Sequence, residues 1–257
     1  MIPQIIHYCW LSGDPYPEKI RKCMESWEKK IPNYKFILWD WNKCKEEKIL
    51  IPWVKEAFEK KKYAFASDFI RLYAVYKYGG IYLDTDIEVI KPFDNLLHLP
   101  YFIGREAIGN RVEIAAFGAE KATEWIKTCM EYYLNRNFIK KDGTLDMRVM
   151  PDIIFERINP NYIIKNITTI NSFDYNNKVF NQFPNDWFCA NIYLNPNDQK
   201  PTYFITNSTY CVHHFANSWL KMNKLEYIRH KYKSYLYIFS RIYHRITAKF
   251  KSYILRQ

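Results

Sequence analysis

Hydrophobic positions in the first half of the chain switch repeatedly between short continuous runs and residues three or four apart. Gln4 to Tyr8 and Tyr34 to Trp39 read as strands, with Pro17 to Lys29, which opens on Pro and Glu, as the helix between them. Trp53 to Lys62 reads as a short helix. From Ala64 to Tyr78 the apolar residues Phe65, Phe69, Leu72, Val75 and Tyr76 follow the spacing of a helix packed on a sheet, and Gly79-Gly80 ends it. Ile81 to Leu83, Ile87 to Ile90, Tyr101 to Gly104 and Glu113 to Phe117 read as further strands, followed by a helix near Lys121 to Leu134. The stretch from Asn135 to Thr209, rich in Asn, Pro and Tyr, predicts loops and short elements. Strands alternating with helices predict an α/β domain with a mostly parallel sheet flanked by helices.

The last segment differs. From Lys224 to Arg256 no Gly or Pro interrupts a pattern in which Tyr232, Tyr235, Leu236, Phe239, Ile242, Tyr243, Ile246, Phe250, Tyr253 and Ile254 recur at helical spacing between basic residues. Residues 221–257 hold ten Lys or Arg and one acid, so +9 of the net +11 belongs to this basic helical tail and only +2 to residues 1–220. A basic helix with an aromatic face suits an anionic membrane surface, while a helix packed on the domain with a solvated basic face is the alternative. Nucleic acid is not the expected partner, because the body is nearly neutral and no nucleic-acid-binding module surrounds the tail.

With 48% hydrophobic and 18% aromatic residues in 257, the chain has ample material for a core. Its six cysteines show no CxxC pair, which predicts free thiols rather than a disulfide framework or zinc knot. No run approaches the ~18 apolar residues of a membrane span, and the opening MIPQIIHYCW has no signal-peptide pattern. The expectation is a cytoplasmic protein, peripheral at the inner face of the cell membrane, in which the Asn166 and Asn207 sequons carry no sugar.

Candidate chemistry lies in KYGGIYLDTDIEV, Lys77 to Val89. Asp84 and Asp86 stand two apart, a spacing that on a strand puts both carboxylates on one face, and a divalent cation would relieve their repulsion. Asp68 and Arg71, three apart on an otherwise apolar helix, share a face and can pair. Neither GxGxxG nor GxxxxGK[ST] occurs, so phosphates would be held without a glycine-rich loop.

Three segments in order, IPQIIHYCW, AFASDFIRLYAVYKYGGIYLDTDIEV and VHHFANSW, resemble the DXD-containing retaining sugar transferases that include the fungal outer-chain α-mannosyltransferase, bacterial capsule and lipopolysaccharide transferases and, distantly, the glucosylating toxins. The resemblance implies a GT-A fold over residues 1–220 and metal-dependent transfer from a nucleotide sugar with retention of configuration. It implies Mn²⁺ or Mg²⁺ as cofactor, with Asp86, His214 and Asn217 as metal ligands. Asp68, Arg71, Asp84 and Asp86 would form the catalytic set. Trp10, Asp68, Arg71, Asp84, His214, Asn217, Ser218 and Trp219 would line the donor site, with Trp219 closing over the diphosphate and Arg71 stabilising it as it leaves. A core role for Trp10 and a structural one for the His213–His214 pair remain open alternatives. The expected donor is a uridine diphosphate sugar such as UDP-galactose, with GDP-mannose as the alternative. The expected acceptor is a polyprenyl-diphosphate-linked saccharide of capsule or lipopolysaccharide assembly. A noncatalytic nucleotide- or glycan-binding module is the rival reading.

Overall fold

A computed structural model of the protein describes residues 1–106, 111–192 and 202–216. Its centre is a five-stranded sheet of β1 (Ile5–Cys9), β2 (Lys35–Trp39), β3 (Gly80–Leu83), β5 (Tyr101–Arg105) and β6 (Val112–Ala119), in the order β2-β1-β3-β6-β5. The pairs β1 with β2 and β1 with β3 are parallel, whereas β6 runs antiparallel to both its neighbours. One strand of the five is thus reversed, and the sheet is mostly parallel as expected.

Helices α1 (Glu18–Lys30), α2 (Trp41–Glu46), α3 (Pro52–Glu59) and α4 (Tyr63–Tyr78) fill the connections before β3. Ile20, Cys23 and Trp27 give α1 one buried stripe, with Glu18 in its first turn and Lys29 and Lys30 in its last, matching the helix dipole. In α4 the buried set runs without a break from Phe65 to Leu72, so this helix lies inside the molecule. Gly79 ends it at φ 65°, and Gly80 follows at φ 107°, where a Cβ would stand 2.7 Å from the Ile5 carbonyl oxygen. Only glycine tolerates both the angle and the approach, and this turn delivers the chain into β3 beside β1.

A buried histidine ties the same junction. Trp39 Nε1 donates to His7 Nδ1 at 3.1 Å, so Nε2 carries the proton that reaches the Gly79 carbonyl at 2.9 Å. Burial drives the His7 pKa down to about 4 against that Gly79 bond, and the ring stays neutral.

Beyond β3, the short strand β4 (Ile87–Val89) leaves the central sheet and pairs antiparallel with β11 (Cys211–His213). Helices α5 (Glu124–Leu134), α6 (Met150–Ile158) and α7 (Asn185–Phe188) complete the layers, with the parallel pair β7 (Ile163–Asn166) and β8 (Val179–Gln182) and the two-residue pair β9 (Asn191–Ile192) and β10 (Thr202–Tyr203). The weakly patterned middle therefore holds α6 and a parallel strand pair. Among the described residues no helix is long and apolar enough to cross a membrane. The tail, residues 221–257, lies outside the described residues.

Candidate active site

Asp68 and Arg71 face inward from α4 and are 6% and 4% exposed, too deep for a helix-surface ion pair. Arg71 Nη1 donates to Asp84 Oδ2 at 3.3 Å and to the Ile114 carbonyl at 3.2 Å. Its Nη2 donates to Ser67 Oγ at 3.0 Å and stands 3.6 Å from Asp68 Oδ1, while Nε reaches the Ser67 carbonyl at 3.4 Å. The guanidinium also lies 4.7 Å from the centre of the Tyr82 ring. All three nitrogens have protein partners, so Arg71 acts as the internal counter-charge of Asp68 and Asp84. This differs from the sequence expectation, in which its donors faced a diphosphate.

The aspartate pair sits in a turn. Ile87 N–H donates to the Asp84 carbonyl at 3.0 Å, closing Asp84–Ile87 into a tight bend between β3 and β4, and Asp84 N–H donates to the Ala115 carbonyl at 2.7 Å. Strand alternation therefore does not align the two carboxylates; the bend does. Tyr82 OH fixes Asp84 Oδ1 at 2.8 Å, and Ala216 N–H donates to Asp86 Oδ2 at 2.8 Å.

The pairing of β11 with β4 sets His213 opposite Ile87 and brings its Nε2 to 3.5 Å from Asp86 Oδ1. Its Nδ1 stands 3.5 Å from Glu113 Oε1 on β6. The adjacent His214 is directed elsewhere, with Nε2 2.8 Å from Glu88 Oε2. Neighbouring residues at a strand end point to opposite sides, so only one of the two imidazoles can meet the aspartates. The structure brings His213 there, where the sequence reading had placed His214.

The electrostatics follow from burial set against partners. Burial raises the Asp68 carboxyl to about 7, with Arg71 opposing, and raises Asp84 above the usual range against Arg71. Burial also works against an ionised Asp86, but the His213 bond and charge and the Ala216 N–H outweigh it and hold that carboxyl at about 2. Burial opposes charge on His213 as well, and Asp86, Cys189 and Glu113 together lift it well above its ordinary value. Asp84, Asp86 and His213 offer ligand atoms within 4.8 Å of one another. Two carboxylates and an imidazole are a donor set that fits a divalent cation such as Mn²⁺, and His213 would have to be neutral to serve as one of its ligands.

Trp10 lies just past β1, donating Nε1–H to the Asp14 carbonyl at 2.7 Å and packing on Tyr16 with ring centres 4.8 Å apart. It is half-buried, with a partner ring of its own. Asn217, Ser218 and Trp219 lie outside the described residues. Glu113, buried at 6%, escaped the sequence reading, although a lone acid in the apolar run VEIAAFGA was a signal for it.

Residues 17–103 match the family model of the glycosyltransferase sugar-binding region containing a DXD motif. The chain is 30% identical over 142 residues to inositol phosphoceramide mannosyltransferase 3 of Schizosaccharomyces pombe, covering 53% of this chain and 40% of that protein. It is 34% identical over 111 residues to a mannosyl phosphorylinositol ceramide synthase of Saccharomyces cerevisiae, covering 40% of this chain and 27% of that one. The chain thus spans less than half the length of either relative. Among solved structures, the PaToxG glycosyltransferase aligns with a TM-score of 0.44 at 18% identity over 62% of this chain and 69% of its own. Asp68, Arg71, Asp84 and Asp86 all fall inside the segment that is similar to that family model, and Asp84-Thr85-Asp86 is a DXD triplet within it.

Proposed function

We propose that this protein is a metal-dependent glycosyltransferase that moves a hexosyl group from a nucleoside diphosphate sugar to a hydroxyl of a saccharide or lipid-linked acceptor. The observation that carries the reading is the charge balance of the pocket. Among the described residues, four carboxylates, Asp68, Asp84, Asp86 and Glu113, face two cationic side chains, Arg71 and His213, and three ligand atoms lie within 4.8 Å of one another. Asp84, Asp86 and His213 would hold a divalent cation, which would supply charge neutralisation for the diphosphate that departs.

The protein's own residues do the rest. Arg71 holds Asp68 and Asp84 in fixed geometry, so that their outer oxygens can accept hydrogen bonds from donor sugar hydroxyls without reorganisation. Trp10 offers a half-buried aromatic face beside the end of β1 for the base. In the proposed same-face route, the departing phosphate oxygen accepts the acceptor proton and configuration is retained; accumulation of a covalent glycosyl-protein adduct would contradict it.

The relatives' names specify mannosyl transfer to inositol phosphoceramide, which puts a mannosyl nucleotide, GDP-mannose, ahead of UDP-galactose as donor. A lipid-linked acceptor fits a basic aromatic tail resting on the inner face of a membrane, and a capsule or lipopolysaccharide glycan remains the acceptor to test beside a phosphoinositol lipid. The test is release of nucleoside diphosphate from a panel of GDP- and UDP-sugars, with Mn²⁺ or chelator and with each acceptor. Turnover of one donor that needs both metal and Asp86 supports the reading. Tight donor binding without turnover for any acceptor would instead identify a binding module.

A further inference from the structure

The pairing of β6 with β5 is irregular at one place. Ile103 pairs with Phe117 but the next residue, Gly104, pairs with Glu113, so Ile114, Ala115 and Ala116 bulge out of register with β5. Bulges redirect side chains and gather beside functional sites. Here the bulged segment touches three of the pocket residues, Arg71, Asp84 and His213. The Ile114 carbonyl accepts from Arg71, the Ala115 carbonyl accepts from Asp84 N–H, and Glu113, at the start of the bulge, turns its carboxylate to His213.

Glu113 is itself fixed. Ala115 N–H donates to its Oε1 at 2.9 Å, and the side chain is buried. The His213 ring stacks on Phe215, with ring centres 3.9 Å apart, and its two nitrogens stand 3.5 Å from carboxylate oxygens of Glu113 and Asp86, charge contacts rather than aligned hydrogen bonds. An imidazole with one nitrogen against a buried carboxylate has little freedom to rotate or to exchange tautomers.

We propose that Glu113 is a positioning residue: through Nδ1 it fixes the orientation and tautomer of His213 so that Nε2 faces Asp86 and a cation bound there. The inference rests on the metal-site reading above for its consequence, but the Glu113–His213 link itself does not. It makes the β6 bulge the element that joins the two halves of the pocket.

The experiment compares the full-length protein with Glu113→Gln and His213→Ala. In metal-free protein, nitrogen-15 NMR reads the His213 Nδ1–H, which a carboxylate partner shifts downfield and protects from exchange. Mn²⁺ affinity is measured by electron paramagnetic resonance. Glu113→Gln keeps the shape and an acceptor for Ala115 N–H, and is expected to lose the downfield resonance and to weaken Mn²⁺ binding about tenfold. Loss of the resonance together with weaker binding supports the proposal. A retained resonance, or unchanged affinity in Glu113→Gln when His213→Ala abolishes binding, overturns it. If His213→Ala leaves Mn²⁺ affinity unchanged, the metal role of His213 fails, and the resonance alone then decides whether Glu113 positions the ring.

Discussion

Two carboxylate clusters in this molecule solve opposite problems. Glu47 is met by Lys43 at 2.8 Å, Lys77 at 2.6 Å and Tyr78 OH at 2.6 Å. Burial opposes its charge, but these partners win and hold its carboxyl at about 2. The pocket around Asp84 has the reverse balance, four carboxylates facing Arg71 and His213, and there burial wins at Asp68, which rises to about 7. A cluster with surplus cations is complete and joins α2 to the end of α4. One with surplus carboxylates among the described residues would be balanced by a cation from outside, as the proposed function requires.

The largest effect that would sharpen this contrast is on turnover. Asp86→Ala should lower metal-dependent release of nucleoside diphosphate by at least 10²-fold while leaving the fold intact, and Glu47→Gln should leave it within about twofold. Equal losses in the two variants, measured on the same donor, would break the distinction between a site and a structural cluster.

The two clusters should also respond to pH with opposite sign. Asp68 carries a folded pKa near 7, above its ordinary 3.8, so its contribution to stability is full below about pH 4 and is lost as pH rises toward 7. Glu47 carries a folded pKa near 2, below its ordinary 4.5, so its contribution is present above about pH 4.5 and is lost as pH falls toward 2. In metal-free protein, urea unfolding from pH 4 to 8 should show Asp68→Asn gaining on the wild type by a few kcal/mol as pH rises. A parallel pair of curves would show that Asp68 is not held at the expense of stability. Smaller still, Glu47→Gln should cost about 2 kcal/mol at neutral pH, and less than that near pH 3, by the same measurement.

What the sequence disclosed depended on the distance over which each feature is held together. The helix spanning α4 and the strands β1, β2, β3 and β6 were legible because period and burial agree within a few residues, as in the run Phe65 to Leu72. Helix α2 was not, since its six residues are too few to show a period and it starts on a local cap, Asp40 accepting from Lys43 N–H. Helix α6 carried a readable stripe, Met150, Ile153, Ile154 and Ile158, behind Pro151, but the Asn- and Pro-rich surroundings masked it. The strands β7 and β8 exist through pairing with each other, which no local pattern announces.

The site divides in the same way. Asp68, Arg71, Asp84 and Asp86 lie within one stretch of helix, turn and strand, and their convergence was expected from the chain. The other half was not legible: the chain alone pointed to His214, and that His213 is the imidazole beside Asp86 follows from the pairing of β11 with β4 in the register that faces it there. Glu113 required more, a bulge in β6 that only the pairing of three strands reveals.

The central claim is that the carboxylate surplus around Asp84 and Asp86 is a cation site. Its most direct test is titration of the full-length protein with Mn²⁺ followed by electron paramagnetic resonance, with GDP or UDP present, for wild type, Asp86→Ala and Glu47→Gln. The account predicts one bound Mn²⁺ per chain in the wild type and in Glu47→Gln, with binding lost in Asp86→Ala. Retention of equal Mn²⁺ binding in Asp86→Ala would contradict it.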